Sequence, residues 1–271
     1  DQTKKLLLRW QDGALTETVY IPETERQTVC VSTQVGCPVQ CAFCASGLTG
    51  LERSLEAGEI VEQLFRVQEQ MEPGQRISHV VIMGMGEPLA NYENTLRAIR
   101  VLNAEWGLGI GARHITVSTV GLPSAIRKLA QEPMQITLAV SLHAATDVLR
   151  EQLIPWAVKF KLKELFAAID FYYQQTHREV TLEYILLAGV NSSLRDADEL
   201  ARRAKGCRCN VNLINYNEVA QTGFRPAAPE VVQAFMQRLA DQGVNVHLRK
   251  SRGRSIDAAC GQLRRRKMDR S

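Results

Sequence analysis

Apolar positions recur with two periods along this chain, and the two alternate. Ile77 to Met83 (ISHVVIM), His114 to Ser118 (HITVS), Ile136 to Leu142 (ITLAVSL), Val180 to Leu187 (VTLEYILL), Asn210 to Ile214 and Val244 to Leu248 read as strands. Between them lie segments whose apolar residues return every three or four positions. These are Asn91 to Glu105 (Leu96, Ile99, Val101 and Leu102 on one face), Ser124 to Ala130, Leu162 to Tyr173, Leu194 to Ala204 and Val231 to Leu239. A further helix is predicted from Gly58 to Met71, with Ile60, Val61, Leu64, Phe65 and Met71 facing inward. Strand–helix alternation of this kind builds βα units around a parallel sheet. Right-handed crossovers close such units into a doubly wound sheet or a barrel, and about six units are too few for eight strands. In both topologies the chemistry lies at the C-terminal ends of the strands. The start of the chain differs: Lys5 to Trp10 and Glu17 to Tyr20 alternate around Asp12-Gly13, a hairpin signal.

Composition adds limits. The 271 residues are 45% apolar and 23% charged, which suits a globular chain and excludes a disordered one. No run approaches the roughly 20 apolar residues of a membrane span. No basic-then-apolar leader is present, so a cytoplasmic location with no membrane contact is expected. The net charge of +4 is uneven: Leu248 to Ser271 holds nine basic residues against Asp257 and Asp269, so this end carries +7 and the rest −3. Arg249, Lys250, Arg252, Arg254, Arg264, Arg265, Arg266, Lys267 and Arg270 thus form a basic end that fits an anionic partner such as nucleic acid, or else a solvated terminus.

The cysteines carry the strongest chemical signal. Cys37, Cys41 and Cys44 form C-x₃-C-x₂-C within GCPVQCAFCASG, a glycine-flanked loop after a strand-like VCVST. Three thiols in eight residues cannot all pair with one another, and soft clustered thiolates suit iron–sulfur, zinc or dithiol redox chemistry. A structural zinc ion takes four ligands, and no second CxxC or HxxxH supplies the fourth. Three thiolates on a four-iron cluster leave one iron open to a substrate. Cys30 lies on the preceding strand. Cys260 sits in SIDAACGQL, a small-residue turn inside the basic end. Cys207 and Cys209 (KGCRCNVN) have no third ligand nearby and read as structural or incidental.

At CPVQCAFC the chain resembles a radical S-adenosylmethionine (SAM) enzyme. QTVCVSTQVGCPVQCAFCASG, VVIMGMGEPLANYENTLRAIR, HITVSTVGL, ITLAVSLHAATDVLR, VNLINYN and RGRSIDAACGQL together resemble the RlmN/Cfr family of radical SAM RNA adenine methyltransferases, over about residues 5 to 263. The resemblance implies an α/β fold: a partial (β/α)6 TIM-like barrel of the radical SAM type with a short N-terminal β-hairpin extension. The expected domains are 1–27 (hairpin), 28–250 (radical SAM core) and 251–271 (the C-terminal segment with the methyl-carrying cysteine and basic tail). It implies that Cys37, Cys41 and Cys44 hold a 4Fe–4S cluster. Gly86 and Glu87 match the SAM-binding glycine and glutamate of GMGEP, where the carboxylate can accept the methionine ammonium. Ser118, Ser141, Leu142, His143 and Asn217 match the remaining SAM contacts, although a lone histidine such as His143 is more often a satisfied core residue. Cys260 matches the methyl-carrying cysteine, Cys30 the one that releases product, and Glu17 an acidic proton acceptor. An exposed hairpin charge is the other reading of Glu17.

The implied chemistry uses two SAM molecules per turnover. The first methylates Cys260. The second is cleaved by the reduced cluster to a radical that activates the S-methyl group for addition to adenine. Cys30 then attacks the Cys260 sulfur, frees the methylated RNA and leaves a disulfide. The implied substrate is 23S ribosomal RNA, with transfer RNA left open and carbon C2 of adenine favoured over C8. An external electron donor, such as a flavodoxin or ferredoxin system, is implied, acting on a monomer. The sequence departs from the family pattern in lacking an N-terminal helical domain, in Asn215 for the usual proline, in Ser255 for the usual aspartate, and in CASG for the commoner CATG or CSTA. A radical SAM enzyme acting on a peptide or small molecule, which would need neither Cys30 nor Cys260, is one alternative. A non-catalytic iron–sulfur RNA-binding protein is the other.

Overall fold

The structure, a computed structural model, describes residues 2–264. The expectations for Arg265, Arg266, Lys267 and Arg270 lie outside the described residues. The chain divides into two units: residues 1–40, 44–115 and 252–271 in the first, and 41–43 with 116–251 in the second.

The first unit opens with the predicted hairpin, β1 (Lys4–Arg9) and β2 (Leu15–Pro22), paired antiparallel with Leu7 opposite Glu17. Strand β3 (Gln27–Cys30) runs antiparallel to β2, with Cys30 opposite Val19. The next strands are β4 (Gln34–Gly36) and β5 (Leu51–Ser54), a short antiparallel ribbon that the apolar pattern did not reveal. They are too short and too polar to show a period. Helix α1 (Ala57–Gln68) starts on a capping box in which Glu56 and Glu59 satisfy each other's backbone N–H groups. Its inner face is Ile60, Val61, Gln63, Leu64 and Val67. Contrary to the sequence reading, Phe65 is 46% exposed and Met71 lies beyond the helix end. Position 63 takes the inward place instead. The amide of Gln63 accepts from the Thr18 hydroxyl (2.6 Å) and the Ser32 N–H (2.8 Å) and donates to the Ser32 carbonyl (2.8 Å), so one buried side chain ties helix, hairpin and strand end together. Strand β6 (His79–Ile82) pairs parallel with β3, Cys30 opposite Val81, and α2 (Tyr92–Asn103) follows.

The second unit is a run of parallel strands with intervening helices. In chain order they are β7 (Ile115–Thr119), α3 (Pro123–Leu129), β8 (Thr137–Ser141), α4 (Asp147–Leu153), α5 (Leu162–Thr176), β9 (Val180–Leu186), α6 (Leu194–Lys205), β10 (Cys209–Asn215), α7 (Pro229–Asp241) and β11 (Val246–Arg249). Registers Val117–Leu138, Val140–Leu182, Tyr184–Leu213 and Val211–Val246 are all parallel. All predicted strands and helices of this region form, shifted at their ends by a few residues. Helix α4 was not foreseen, because its buried residues are Arg150 and Leu153, too few apolar positions to show a period. No helix among the described residues is long and apolar enough to cross a membrane.

Candidate functional site

In the first unit, the cysteine loop leaves β4 through Gly36. This residue has φ +77°, and a Cβ on it would land on the Gly50 carbonyl. Only glycine tolerates that approach, which lets the Cys37 N–H bond the same carbonyl at 3.1 Å and closes the loop at its base. Cys37 and Cys44 are half-buried free thiols. Burial pushes the Cys37 thiol up to about 12, with Cys44 and Glu87 as anionic neighbours that add to the shift. Burial also raises Cys44, against hydrogen bonds from Ser46 and Gly47, and Cys260 adds to the rise. Cys44, Cys37, Glu87 and Cys260 are therefore mutual electrostatic neighbours in pairs.

The Cys260 segment is fastened to this loop and to the hairpin. The Ala45 N–H donates to the Gly261 carbonyl (2.8 Å), and the Ser46 hydroxyl donates to the Leu263 carbonyl (2.6 Å). Lys5 Nζ donates to the Asp257 carbonyl at 3.0 Å, and Gln262 bridges Ala259 at both backbone groups. Glu17 is 3% exposed, which excludes the exposed-hairpin reading. Its carboxylate pairs with Lys5 (2.9 Å) and accepts the Arg264 N–H (2.9 Å). Cys30 is buried in an apolar cluster with Val19, Val81, Met85, Ala258 and Leu263. Three positions that are distant in sequence, Glu17, Cys30 and the Cys260 segment, are thus brought together in the first unit.

Gly86 also lies in this unit, with φ +107°. A Cβ there would meet Gln34 Cβ at 2.7 Å and Thr33 Oγ1 at 2.8 Å, so the glycine is demanded by the chain's own packing. Glu87 is buried, caps the short 3₁₀ turn Pro88–Asn91 by accepting the Leu89 N–H (3.0 Å), and donates its own N–H to Gln34 Oε1 (2.8 Å).

The second unit holds Cys41 and Phe43. The Ala42 N–H donates to Leu153 O at the end of α4 (2.9 Å), Tyr216 Oη donates to Phe43 O (3.2 Å), and the Phe43 ring stands edge-on to His143 with centroids 4.9 Å apart. Ser118 and Ser141 face each other across β7 and β8 with hydroxyl oxygens 3.4 Å apart. His143 has φ +57° and is buried, and its Nδ1 accepts the Ile185 N–H at 3.1 Å. Burial, with Arg150 nearby, pulls its imidazole down to about 3. At that nitrogen it is the satisfied core histidine. Leu142 is fully buried, with its N–H given to Glu183 O (3.0 Å) and its carbonyl taken by Ala144 N–H and Arg150 Nε, so its contribution is to hold the backbone. Asn217 is buried just after β10. Sequence reading missed two residues here: Asn191, whose amide donates to the His143 and Ile185 carbonyls (2.8 and 2.6 Å), and the fully buried Arg150. Asn191 lies outside the quoted motifs, and Arg150 closes ITLAVSLHAATDVLR, where the resemblance gave it no role. Cys207 and Cys209, which the sequence left as structural or incidental, have their sulfurs 3.3 Å apart.

The donor set decides which group fits the cysteine loop. No disulfide joins any two cysteines among the described residues. Buried thiols whose pKa is raised ionise only beside a strong positive charge, which a bound metal centre supplies. Among the described residues no three His, Cys, Asp or Glu side chains converge on one ion position. A multi-iron cluster takes each thiolate on a different iron and needs no such convergence. The residues present therefore fit an iron–sulfur cluster. A groove of about 910 Å³ elsewhere in the first unit, lined by residues such as Trp10, Asp12, Arg53 and Glu59, contains none of the candidate site residues.

The radical SAM superfamily model matches residues 31–204. A probable dual-specificity RNA methyltransferase RlmN of Thermosynechococcus vestitus is 50% identical over 264 residues, covering 97% of this chain and 77% of the relative. The corresponding protein of Dictyoglomus turgidum is 47% identical over 97% of this chain and 76% of the relative. A crystal structure of a radical SAM methyltransferase from Sphaerobacter thermophilus superposes with a TM-score of 0.93 at 48% identity, covering 97% of this chain and 77% of that one. The fold is accordingly α/β, the partial TIM-like barrel of the radical SAM type with its N-terminal hairpin, and its cofactors are a 4Fe–4S cluster and SAM. The chain belongs to the radical SAM superfamily and, within it, to the family of the dual-specificity RNA methyltransferase RlmN.

Proposed function

We propose that this protein methylates a ring carbon of adenine, C2 in preference to C8, in 23S ribosomal RNA, with transfer RNA left open as a second substrate, through an S-methylated Cys260 and a covalent protein–RNA adduct. The observation that carries this reading is the placement of Cys30, Glu17 and the Cys260 segment together in the first unit, with Cys260 an electrostatic neighbour of Cys44. A radical SAM enzyme working on a peptide or small molecule has no use for such a trio.

Cys37, Cys41 and Cys44 would hold the cluster. Gly86 and Glu87, with Ser118, Ser141, Leu142, His143 and Asn217, are assigned to SAM, Glu87 to its ammonium group. The cluster with SAM supplies one-electron chemistry able to activate an unreactive C–H bond, which an aromatic ring carbon requires. The rest falls to the chain's own residues. Cys260 carries the methyl group as a thioether. Glu17, held by Lys5, accepts the proton released as the ring regains aromaticity. Cys30 attacks the Cys260 sulfur as a thiolate, the sulfur–carbon bond breaks with its electron pair on the product carbon, which takes up a proton to become the methyl group, and a Cys30–Cys260 disulfide remains for external reduction. Two SAM molecules are consumed per turnover, electrons come from a flavodoxin- or ferredoxin-like donor, and the cytoplasm supplies the reducing setting. Ser46, Ala45 and Lys5 keep the Cys260 turn in place.

The test is anaerobic reconstitution followed by incubation with ribosomal and transfer RNA and mass-spectrometric mapping of methyladenine. About four iron and four sulfide per chain and 2-methyladenine in RNA are expected. Stoichiometric zinc without iron, or SAM cleavage with no methylated adenine in either RNA, contradicts the proposal.

A further inference from the structure

We propose that Arg150 is a positioning residue of this enzyme: one buried guanidinium fixes the ends of the two strands that carry Ser118 and Ser141–His143, and sets a permanent positive charge beside the Cys41 segment. The inference rests on the assignment of those strand ends to SAM.

Arg150 lies on α4 and is 1% exposed, among the largest side chains fully buried in the chain. Its Nε donates to Leu142 O (3.1 Å). One terminal nitrogen donates to Val120 O and Ser141 O (the latter 3.4 Å), and the other to Phe160 O (3.5 Å). Val120 follows β7, and Ser141 and Leu142 end β8. Three carbonyls at or just past strand ends thus accept from one side chain. A planar fork reaches all of them from one atom group, and an ammonium on a flexible stem does not. The same helix ends at Leu153, whose carbonyl takes the Ala42 N–H at 2.9 Å. Seven residues of α4 therefore link the Cys41 segment to both strand ends. Burial lowers the Arg150 guanidinium only to about 10, and the Cys41 thiol and the Asp147 carboxyl push it the other way, so the charge persists at neutral pH within reach of Cys41. A buried fixed cation near an iron–sulfur centre favours its reduced, more negative state.

The experiment uses the anaerobically reconstituted full chain and its R150K, R150Q and S141A variants. Two quantities are read: the SAM dissociation constant of the oxidised protein, and the midpoint potential of the cluster by EPR-monitored titration. R150K keeps the charge and loses the fork, so SAM should bind about tenfold more weakly at an unchanged potential. R150Q loses both, so its potential should move to a more negative value as well. SAM affinity within twofold of wild type in R150K overturns the positioning role, and it does so even where R150Q fails to fold. An R150Q potential equal to wild type overturns the electrostatic role. S141A separates the two readings: if S141A also binds SAM like wild type, the SAM assignment of the strand end has failed rather than the role of Arg150.

Discussion

The Glu17 carboxylate holds the backbone at Arg264: Oε2 accepts the Arg264 N–H at 2.9 Å, while Oε1 pairs with Lys5 Nζ at 2.9 Å. Lys5 in turn donates to the Asp257 carbonyl. Two strands of the hairpin thus clasp the Cys260 segment from both sides, and a short N-terminal element becomes part of the candidate site.

The clasp separates structure from chemistry at Glu17. Glu17→Ala leaves a part-buried N–H and a cation without their acceptor, and should lower the unfolding free energy by about 1–3 kcal/mol. Glu17→Gln keeps an acceptor for the Arg264 N–H and should lose less stability, yet it cannot take a proton. Denaturant unfolding and single-turnover methylation of both variants check this. Full turnover in Glu17→Gln would remove Glu17 from the proton-acceptor role.

His143 gives the acid side of the stability profile a defined sign. Burial holds the folded imidazole near 3, and its Nδ1 is occupied as an acceptor for Ile185 N–H. The unfolded chain takes up a proton below about 6.5. Across the window from there toward 3 the unfolded state binds more protons, so stability falls as pH falls, by at most about 1.4 kcal/mol per pH unit from this group. His143→Asn retains an acceptor and should flatten the slope of unfolding free energy between pH 6.5 and 5. An unaltered slope assigns the acid sensitivity to other groups.

The basic end should contribute counterion release. Changing Arg264, Arg265 and Arg266 to Ala should flatten the plot of log K for RNA against log salt concentration, by up to about 0.9 per neutralised phosphate contact. An unchanged slope would show these arginines to be solvated, and RNA would then need a different surface.

Much of this was legible from the chain. The alternation of β6 through β11 with their helices, α4 excepted, follows from apolar period alone, and C-x₃-C-x₂-C marks its own loop. What escaped was held by polar burial or by shortness. Phe65 falls on the apolar face by spacing, yet α1 turns Gln63 inward, because the amide satisfies Thr18 and Ser32 and no apolar side chain could. Gly86 has a packing reason that no motif displays: a Cβ there would meet Gln34 and Thr33. Arg150 closes ITLAVSLHAATDVLR, yet an arginine on a short helix looks like surface until the carbonyls it satisfies are placed. The proximity of Glu17, Cys30 and Cys260 came from resemblance rather than from periodicity, since no local pattern joins positions more than 200 residues apart.

The central claim is that Cys260 carries the transferred carbon and Cys30 releases it. The most direct measurement is denaturing electrophoresis and mass spectrometry of Cys30→Ala after incubation with SAM, reductant and RNA. Attack on sulfur requires a thiolate, so Cys30→Ser should behave alike. RNA should stay covalently bound to the protein through denaturation, be reduced by RNase to a nucleotide-sized mass on Cys260, and be absent in Cys260→Ala. Normal release of methylated RNA by Cys30→Ala, or a variant that is merely destabilised by about 1–3 kcal/mol with no trapped adduct, would contradict it.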